Sequence, residues 1–392
     1  MLKSSMLETH FQNNLKNKLT LIIPTRNKSH FLLALLEYYN SIAFPFKILI
    51  IDDSDNPNIK KLINRRIENF TNLNIDYRET QFQNLFEALL FALQNAETPY
   101  VLNSGDDDYF SISMISKMIN FLDSNLDYIS TSGLSVKMNA KWDEENKSWQ
   151  KVSVFNATTN SYDSENVQDR ISLHIKKYKV ITYSVVRTKE LRHVYEVGYS
   201  NNFYLFPALI ELFQNAVLLI AGKHKRFFGF FHFWFAPIDR RRMSHEVDIA
   251  DISTESWFDK FNLKGSTQAN LACVKILKEH LNKQDCDDSG TVSEAIWMSY
   301  YLNFLLRRHK EYLLTCSNFR NKTIFSRILY KVFVIIAFRL MRSNPQEALE
   351  KFWSNLYFYF VAKLFLLSGT LKLNPSAVIL TILNKNTVDK TS

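Results

Sequence analysis

Apolar residues at the front of this chain alternate between short continuous runs and stretches where they recur every three or four positions. Leu19-Thr20-Leu21-Ile22-Ile23 is a β-branched run closed by Pro24, Thr25, Arg26 and Asn27, the pattern of a buried parallel strand entering a loop. Phe31, Leu32, Leu35, Leu36 and Tyr39 follow at helical spacing, and Phe46-Lys47-Ile48-Leu49-Ile50-Ile51 is a second buried strand stopped by Asp52-Asp53-Ser54-Asp55. Strand, helix and strand in that order predict a right-handed crossover between parallel strands. The alternation then repeats. Ile59 to Phe70 is helical in pattern, Asn74 to Tyr77 a short strand, Phe82 to Ala96 helical, and Tyr100-Val101-Leu102 another buried strand, which leads through Gly105 into Asp106, Asp107 and Asp108. The predicted class is α/β.

The pattern changes in the middle of the chain. Lys141 to Asp169 is rich in Asn, Ser and Glu and poor in period, a long loop or hairpin, and Val180 to Thr188 is strand-like. Beyond about residue 250 the period becomes helical and strongly aromatic, with candidate helices at Ala269–Leu281, Val292–Arg308, Ile324–Met341 and Ala348–Leu367, the last two separated by Ser343-Asn344-Pro345. None offers the roughly 20 clean apolar residues of a membrane span. Arg327, Lys331, Arg339 and Arg342 interleave with apolar residues, which allows peripheral contact with an anionic membrane surface. The alternative is an apolar face packed on the rest of the chain or on another copy in a homo-oligomer.

Composition narrows the class. With 392 residues, 46% hydrophobic content and only 8 Gly, the chain holds enough apolar mass for a large core and is not dominated by disorder. Its 3 Cys, at 273, 286 and 316, lack metal-ligand spacing. Together with an N-terminus that has no signal-peptide core, they point to a reducing, cytoplasmic setting, at most peripheral at the inner face of a membrane. The net charge of +9 raises nucleic-acid binding, but no zinc-finger spacing, RNP motif or base-reading basic helix accompanies it. Lys223-His224-Lys225-Arg226 and Arg240-Arg241-Arg242 instead flank the aromatic run Phe227 to Phe235, so they read either as cations for an anionic substrate or as a solvated basic face.

The three consecutive aspartates carry the most chemistry. They stand at the carboxyl end of a strand, where open α/β sheets keep their ligands. Crowded carboxylates repel one another, and a hard divalent cation such as Mg2+ takes one or two of them together with substrate phosphates. A solvated acidic turn is the plainer alternative.

Ile-Ile-Pro-Thr-Arg-Asn, then Ile-Ile-Asp-Asp-Ser, then Thr-Pro-Tyr-Val-Leu-Asn-Ser-Gly-Asp-Asp-Asp, in that order within residues 19 to 110, resemble the nucleotide-sugar domain of family 2 glycosyltransferases. The resemblance implies a GT-A fold, Rossmann-like with a mostly parallel central sheet, followed here by a mainly α-helical C-terminal extension. It implies an N-terminal extension at 1–18, the GT-A domain at 19–248 (nucleotide-sugar half 19–130, acceptor half 131–248) and a helical region at 249–392. It further implies that Pro24, Thr25 and Arg26 lie under the nucleotide, that Asp53 accepts a hydrogen bond from the base, favouring uridine, and that Asp106 sits near the ribose. Asp107 or Asp108 would hold Mn2+ or Mg2+ against the diphosphate as a DxD-type motif. The implied activity is metal-dependent transfer from a nucleotide sugar to a glycan or lipid-linked acceptor, with inversion, as in polysaccharide biosynthesis.

An inverting enzyme of this kind needs a carboxylate base in its acceptor half. The matching stretch, Tyr199 to Gly222, holds one carboxylate, Glu211, and departs from the family pattern, which places an acid nearer Phe206 or Pro207; Asp239, Glu246 and Asp248 are the alternates. Two rival classes stay open. A nucleotidyltransferase would show a glycine-rich phosphate loop after the first strand, and Pro24 to His30 has no glycine; a non-catalytic glycan- or nucleotide-binding protein would keep the fold and lose the base. Asp285, Asp287, Ser289 and Gly290 mimic an EF-hand loop, but its twelfth position is Ile296, where a bidentate Glu is needed. Neither a Gly-x-Ser-x-Gly elbow nor a P-loop occurs.

Overall fold

The computed structural model describes residues 17–82, 84–143, 148–157, 160–176, 181–205, 207–237, 263–284, 289, 290, 293, 296 and 297. The chain divides into two compact units, Met1–Glu294 with Pro375–Ser392, and Ala295–Asn374. All the elements below belong to the first. In chain order they are β1 (Leu19–Thr25), α1 (Ser29–Ser41), β2 (Lys47–Asp52), α2 (Pro57–Ile67), β3 (Asn74–Glu79), α3 (Leu85–Asn95), β4 (Tyr100–Asn103), β5 (Asp108–Phe110) and α4 (Ile112–Ser124). The second half adds β6 (Tyr128–Asp143), β7 (Ser148–Ala157), α5 (Val167–Lys176), β8 (Val185–Arg187), α6 (Thr188–Ser200), α7 (Pro207–Ala221), β9 (Lys223–Pro237) and α8 (Leu263–Asn282).

One 9-stranded sheet runs β3-β2-β1-β4-β8-β6-β9-β5, with β7 paired to β6. The first four strands are parallel, as the strand and helix alternation predicts. Leu19, Leu21, Ile22 and Ile23 of β1 are wholly buried, because a central parallel strand is covered on both faces and so reads as a continuous apolar run. Phe31, Leu32, Leu35 and Tyr39 of α1 pack on it with Phe44, Phe46 and Ile48; each such side chain contributes about 1.5–3 kcal/mol of burial. Two of the crossover helices, α2 and α3, start at asparagine caps. Asn56 accepts from the Asn58 N–H at 2.9 Å, with Pro57 in the first turn, and Asn84 accepts from the Glu87 N–H at 3.0 Å.

From β5 onward the sheet is mixed. β8 runs antiparallel to both β4 and β6, while β9 lies parallel to β6 and antiparallel to β5. The polar stretch after residue 141 is a hairpin: β6 and β7 pair from Ser135↔Ala157 to Asp143↔Ser148. The strand expected over Val180–Thr188 is shorter. It is confined to Val185–Arg187, and Thr188 already opens α6, its hydroxyl donating to the Thr98 carbonyl at 2.6 Å and its N–H to Pro99 at 3.0 Å. Arg187 fixes that corner by donating to the carbonyls of Leu122, Asn125 and Tyr128.

The helix expected at Ala269–Leu281 is α8, which begins earlier and packs on α7. Of the candidate helix Val292–Arg308 only Ser293, Ile296 and Trp297 are described, all helical; the two later candidates with their basic residues, and Asp285 and Asp287, lie outside the described residues. Among the described residues no helix is long and apolar enough to cross a membrane.

Candidate functional site

In the order β3-β2-β1-β4 the connections leave β1 in opposite directions, so the gap between β1 and β4 is the topological switch point, where open sheets bind ligands beyond the strands' carboxyl ends. A cleft of about 390 Å³ opens there, lined among others by Pro24, Thr25, Arg26, Lys28, Asp53, Phe82, Leu85, Asp106, Asp107 and Tyr183. The structure thus brings the predicted residues of all three strand ends onto one cavity. Asp108 and Glu211 are not among the lining residues.

The turn after β1 is built to meet the turn after β2. Asn27 holds φ 57°, a left-handed conformation that asparagine tolerates better than most residues. Its N–H donates to Ser54 Oγ at 2.9 Å, its Nδ2 to Asp55 Oδ2 at 2.9 Å, and its Oδ1 accepts from the Asp55 N–H at 3.1 Å. Arg26 adds a forked pair to Asp55, with Nη2 to Oδ1 at 3.0 Å. The Arg26 and Asn27 hydrogen bonds hold the Asp55 carboxyl below the usual range. Arg26 therefore shapes the rim of the cleft by joining two loops.

The paired aspartates divide their work. Asp52 is wholly buried, with Oδ1 accepting from the Ser54 N–H at 2.8 Å and Oδ2 from the Tyr77 hydroxyl at 2.6 Å. Asp53 is half-buried and faces the cleft. Its Oδ1 accepts from Thr80 Oγ1 and from the Phe82 N–H at 3.0 Å, while among the described residues Oδ2 accepts no hydrogen bond. A positioned carboxylate with a spare acceptor is what an N–H donor on a ligand needs.

The acidic triplet is not a solvated turn. Asp106 is 5% exposed and Asp108 2%. Asp106 Oδ2 accepts from Thr25 Oγ1 at 2.9 Å and its Oδ1 lies 3.9 Å from Lys28 Nζ. Burial pushes its pKa up, against the pull of Lys28 and the Thr25 hydrogen bond. Asp108 already spends both oxygens on the protein, Oδ2 on the Gly105 N–H at 2.8 Å and Oδ1 on His232 Nε2 at 2.9 Å. A Cβ added to Gly105 would meet Asp108 Oδ2 at 2.8 Å and Asp107 Oδ1 at 2.9 Å, so glycine is what lets the carboxylates fold back on this turn. Asp107 is the half-buried member that lines the cleft.

Behind the triplet stands a stack absent from the sequence-level candidates. The His232 ring lies between Phe110, at 4.8 Å and 11°, and Tyr183, at 4.7 Å and 25°. Asp108, then burial, then Asp107, Glu211 and Asp106 push the Tyr183 phenol's pKa up, so it stays protonated. Glu211, half-buried on α7, is thereby within electrostatic reach of the acidic group through Tyr183. The one signal for His232 in the sequence is a polar residue inside an otherwise apolar run, Phe230-Phe231-His232-Phe233-Trp234. Asp239, Glu246 and Asp248 lie outside the described residues.

The basic cluster ahead of that run is a correction. Lys223 pairs with Asp127 at 2.7 Å and with Glu165, and Lys225 pairs with Asp163 at 3.2 Å. His224 is wholly buried between Ser130 Oγ, 2.8 Å from Nδ1, and Ser132 Oγ, 2.9 Å from Nε2. These residues tie β9 to β6, to Asp127 just before β6 and to the loop before α5. They form neither an open anion site nor a solvated face. Arg240–Arg242 lie outside the described residues.

Residues 20–186 match the model of Glycosyl transferase family 2. Over this stretch the chain is similar to family 2 glycosyltransferases. No curated protein matches the chain. Among solved structures, S. aureus TarS 1-349 in complex with UDP-GlcNAc is similar at 16% identity over 79% of this chain and 77% of that one, with a TM-score of 0.44. The mannosyltransferase PcManGT from Pyrobaculum calidifontis in complex with GDP-Man and Mn2+ is similar at 12% identity over 89% and 87%, with a TM-score of 0.39. GalNAc-T7 with UDP, GalNAc and Mn2+ is similar at 12% identity over 69% and 55%, with a TM-score of 0.38. At these scores no residue-by-residue correspondence follows.

A divalent cation fits the glycosyltransferase cleft by its donor set. Among the described residues no group of three or more His, Cys, Asp or Glu forms a preformed cage. Mg2+ and Mn2+ need none, since one or two carboxylates with substrate phosphates and water suffice. Asp107 on the cleft wall and the buried Asp106 beside it could supply that pair, and a cation would offset the charge that burial disfavours at Asp106.

Proposed function

We propose that this glycosyltransferase moves a sugar from a nucleotide-sugar donor, a UDP-sugar, to a hydroxyl of a glycan or lipid-linked acceptor, with a divalent cation and with inversion at the anomeric carbon. The observation that carries the proposal is the meeting of Thr25, Asp53, Asp106 and Asp107, from three strand ends, on one cleft at the switch point of the sheet.

Each residue has work that its geometry allows. Asp53 offers Oδ2 to an N–H of the base, while Thr80 and Phe82 hold Oδ1 still. Pro24 and Thr25 close the cleft beneath the nucleoside, and Asp106, held by Thr25 and Lys28, is the acceptor nearest the ribose. Asp107, with Asp106, would hold Mg2+ or Mn2+, whose contribution is Lewis-acid neutralisation of the charge on the departing diphosphate. Asp108 is the support: its bonds to Gly105 and His232 fix the turn from which Asp107 projects. The Tyr183 phenol, kept protonated, is a donor on the wall of the cleft.

Transfer needs an acceptor oxygen to form a bond to the anomeric carbon as the bond to the phosphate oxygen breaks, with that electron pair leaving on the diphosphate. Glu211 takes the acceptor's proton in this account, since α7 carries it to the Tyr183 side of the acidic group. The test is a panel of nucleotide sugars, scored for Mn2+-dependent hydrolysis and transfer. Glu211→Gln should keep donor binding and lose about 10² to 10⁴ in turnover, the usual worth of a general base. A folded Glu211→Gln enzyme with wild-type turnover removes Glu211 from the role.

A further inference from the structure

The last residue of β4, Asn103, stands apart from every group assigned above. It is 4% exposed and lines the cleft, yet neither Oδ1 nor Nδ2 of its carboxamide has a partner among the described residues. Buried polar groups are nearly always paired, and an orphan in a native protein requires a reason. Its surroundings offer no internal one. The neighbouring Thr25 and Asp106 side chains bond to each other, and Ser104 Oγ donates to the Gly105 carbonyl at 2.7 Å. Ser184, the residue before β8, also has a buried hydroxyl without a partner among the described residues.

The chemistry of the orphaned group selects its ligand. A carboxamide has two N–H donors and one carbonyl acceptor on the same planar group. A diphosphate oxygen only accepts and would leave Oδ1 unpaired. An apolar ring face would leave both atoms unpaired. A hydroxyl donates and accepts at once, so adjacent hydroxyls on a sugar ring satisfy both atoms together.

We propose that Asn103 is a binding residue for the hydroxyls of a sugar ring of the donor, either the ribose or the sugar being transferred. This rests on the nucleotide-sugar reading of the cleft and extends it to a recognition group on the wall. The proposal makes an unusual demand on stability. A group kept unpaired for a ligand weakens the free protein, so Asn103→Leu, close in size and apolar, should leave the free protein's melting temperature unchanged or higher while weakening the complex.

The experiment measures melting temperature without ligand and calorimetric affinity with Mn2+ for wild type, Asn103→Leu and Asn103→Asp. The probes are UDP, UDP-N-acetylglucosamine, GDP and GDP-mannose. The expected result is an undiminished melting temperature in Asn103→Leu with at least about tenfold weaker binding of the nucleotide sugar, as follows from leaving polar ligand groups unpaired. Equal weakening for the nucleoside diphosphate assigns the ribose; weakening confined to the nucleotide sugar assigns the transferred sugar. Wild-type affinity of Asn103→Leu for every probe overturns the proposal. So does a melting temperature that falls in Asn103→Leu and recovers in Asn103→Asp with binding intact, because the side chain is then structural. A wild-type protein that binds none of the probes overturns the donor-site reading, and this proposal with it.

Discussion

Nε2 of His232 lies 2.9 Å from Oδ1 of Asp108, two residues 124 positions apart that the β5–β9 pairing brings together. A carboxylate oxygen accepts, so Nε2 is the donor of this pair, and Nδ1 lies 3.3 Å from Ser135 Oγ. With Phe110 and Tyr183 on its two faces, the imidazole is fixed in plane as well as in direction. The acidic turn is thus anchored from the acceptor half of the domain.

Replacing His232 by Leu should therefore cost stability before it costs chemistry. Asp108 keeps only the Gly105 N–H and stays buried, and an uncompensated buried carboxylate costs about 3–5 kcal/mol. Urea unfolding should show that loss for His232→Leu, and a much smaller one for the double variant His232→Leu with Asp108→Asn. Equal losses in both would show that the Asp108 charge is not what His232 supports.

Asp106 trades stability for function in a way that pH exposes. Its pKa is raised in the fold, mainly by burial, so the folded state holds the proton where the unfolded chain releases it. The favourable contribution is present below the unfolded value and lost as pH rises through the folded one. Asp106→Asn should therefore gain on wild type in melting temperature as pH climbs from about 4, near the ordinary aspartate value, toward neutrality. The variant should also lose donor binding. A constant difference across that range would contradict the assignment.

His224 works in the opposite sense. Burial, then His174 and Arg226, hold its pKa down from 6.5 to about 3, so it stays neutral between its two serines. The stability this gives is complete above the unfolded value and drains away as pH falls through 6.5 toward 3, at up to about 1.4 kcal/mol per pH unit. His224→Gln keeps hydrogen bonds to Ser130 and Ser132 within reach and should flatten the decline in unfolding free energy between neutral and mildly acidic pH. An imidazole resonance of His224 titrating near the ordinary histidine value would contradict this.

Arg170 holds the helix that carries Glu211. It is 5% exposed, and its guanidinium donates to the carbonyls of Ser164, Glu165, Leu219 and Ile220, the last two at the carboxyl end of α7, where a cation also suits the helix dipole. Arg170→Leu leaves buried carbonyls unpaired at about 1–3 kcal/mol each. Thermal unfolding should fall by several degrees or more, and a variant with wild-type melting would show that water replaces the guanidinium fully.

The parallel half of the fold was legible because its physics is local. Continuous apolar runs such as Leu19 to Ile23 state burial on both faces, and Asp53 and Asp106 stand at strand ends that local order alone locates. The second half was less legible because its contacts are long-range. Nothing near Val180 says that only Val185–Arg187 pairs, since carbonyls at Leu122, Asn125 and Tyr128 decide the corner by capturing Arg187. Lys223 and Lys225 read as open cations until Asp127, Asp163 and Glu165 fold against them. Asp108 reads as equal to Asp107, and only the arrival of His232 on β9 separates the buried support from the residue on the cleft wall.

The central claim, that the cleft binds a nucleotide sugar through a cation held at Asp107, is tested most directly by calorimetric titration of UDP- and GDP-sugars into wild type and Asp107→Asn, with Mn2+ and after chelation. Wild type should bind one donor class with Mn2+ and lose at least about tenfold on chelation, a difference of about 1.4 kcal/mol. Asp107→Asn should bind weakly and alike in both conditions while melting as wild type does. Donor binding that is equal in the two proteins and indifferent to chelation would contradict it.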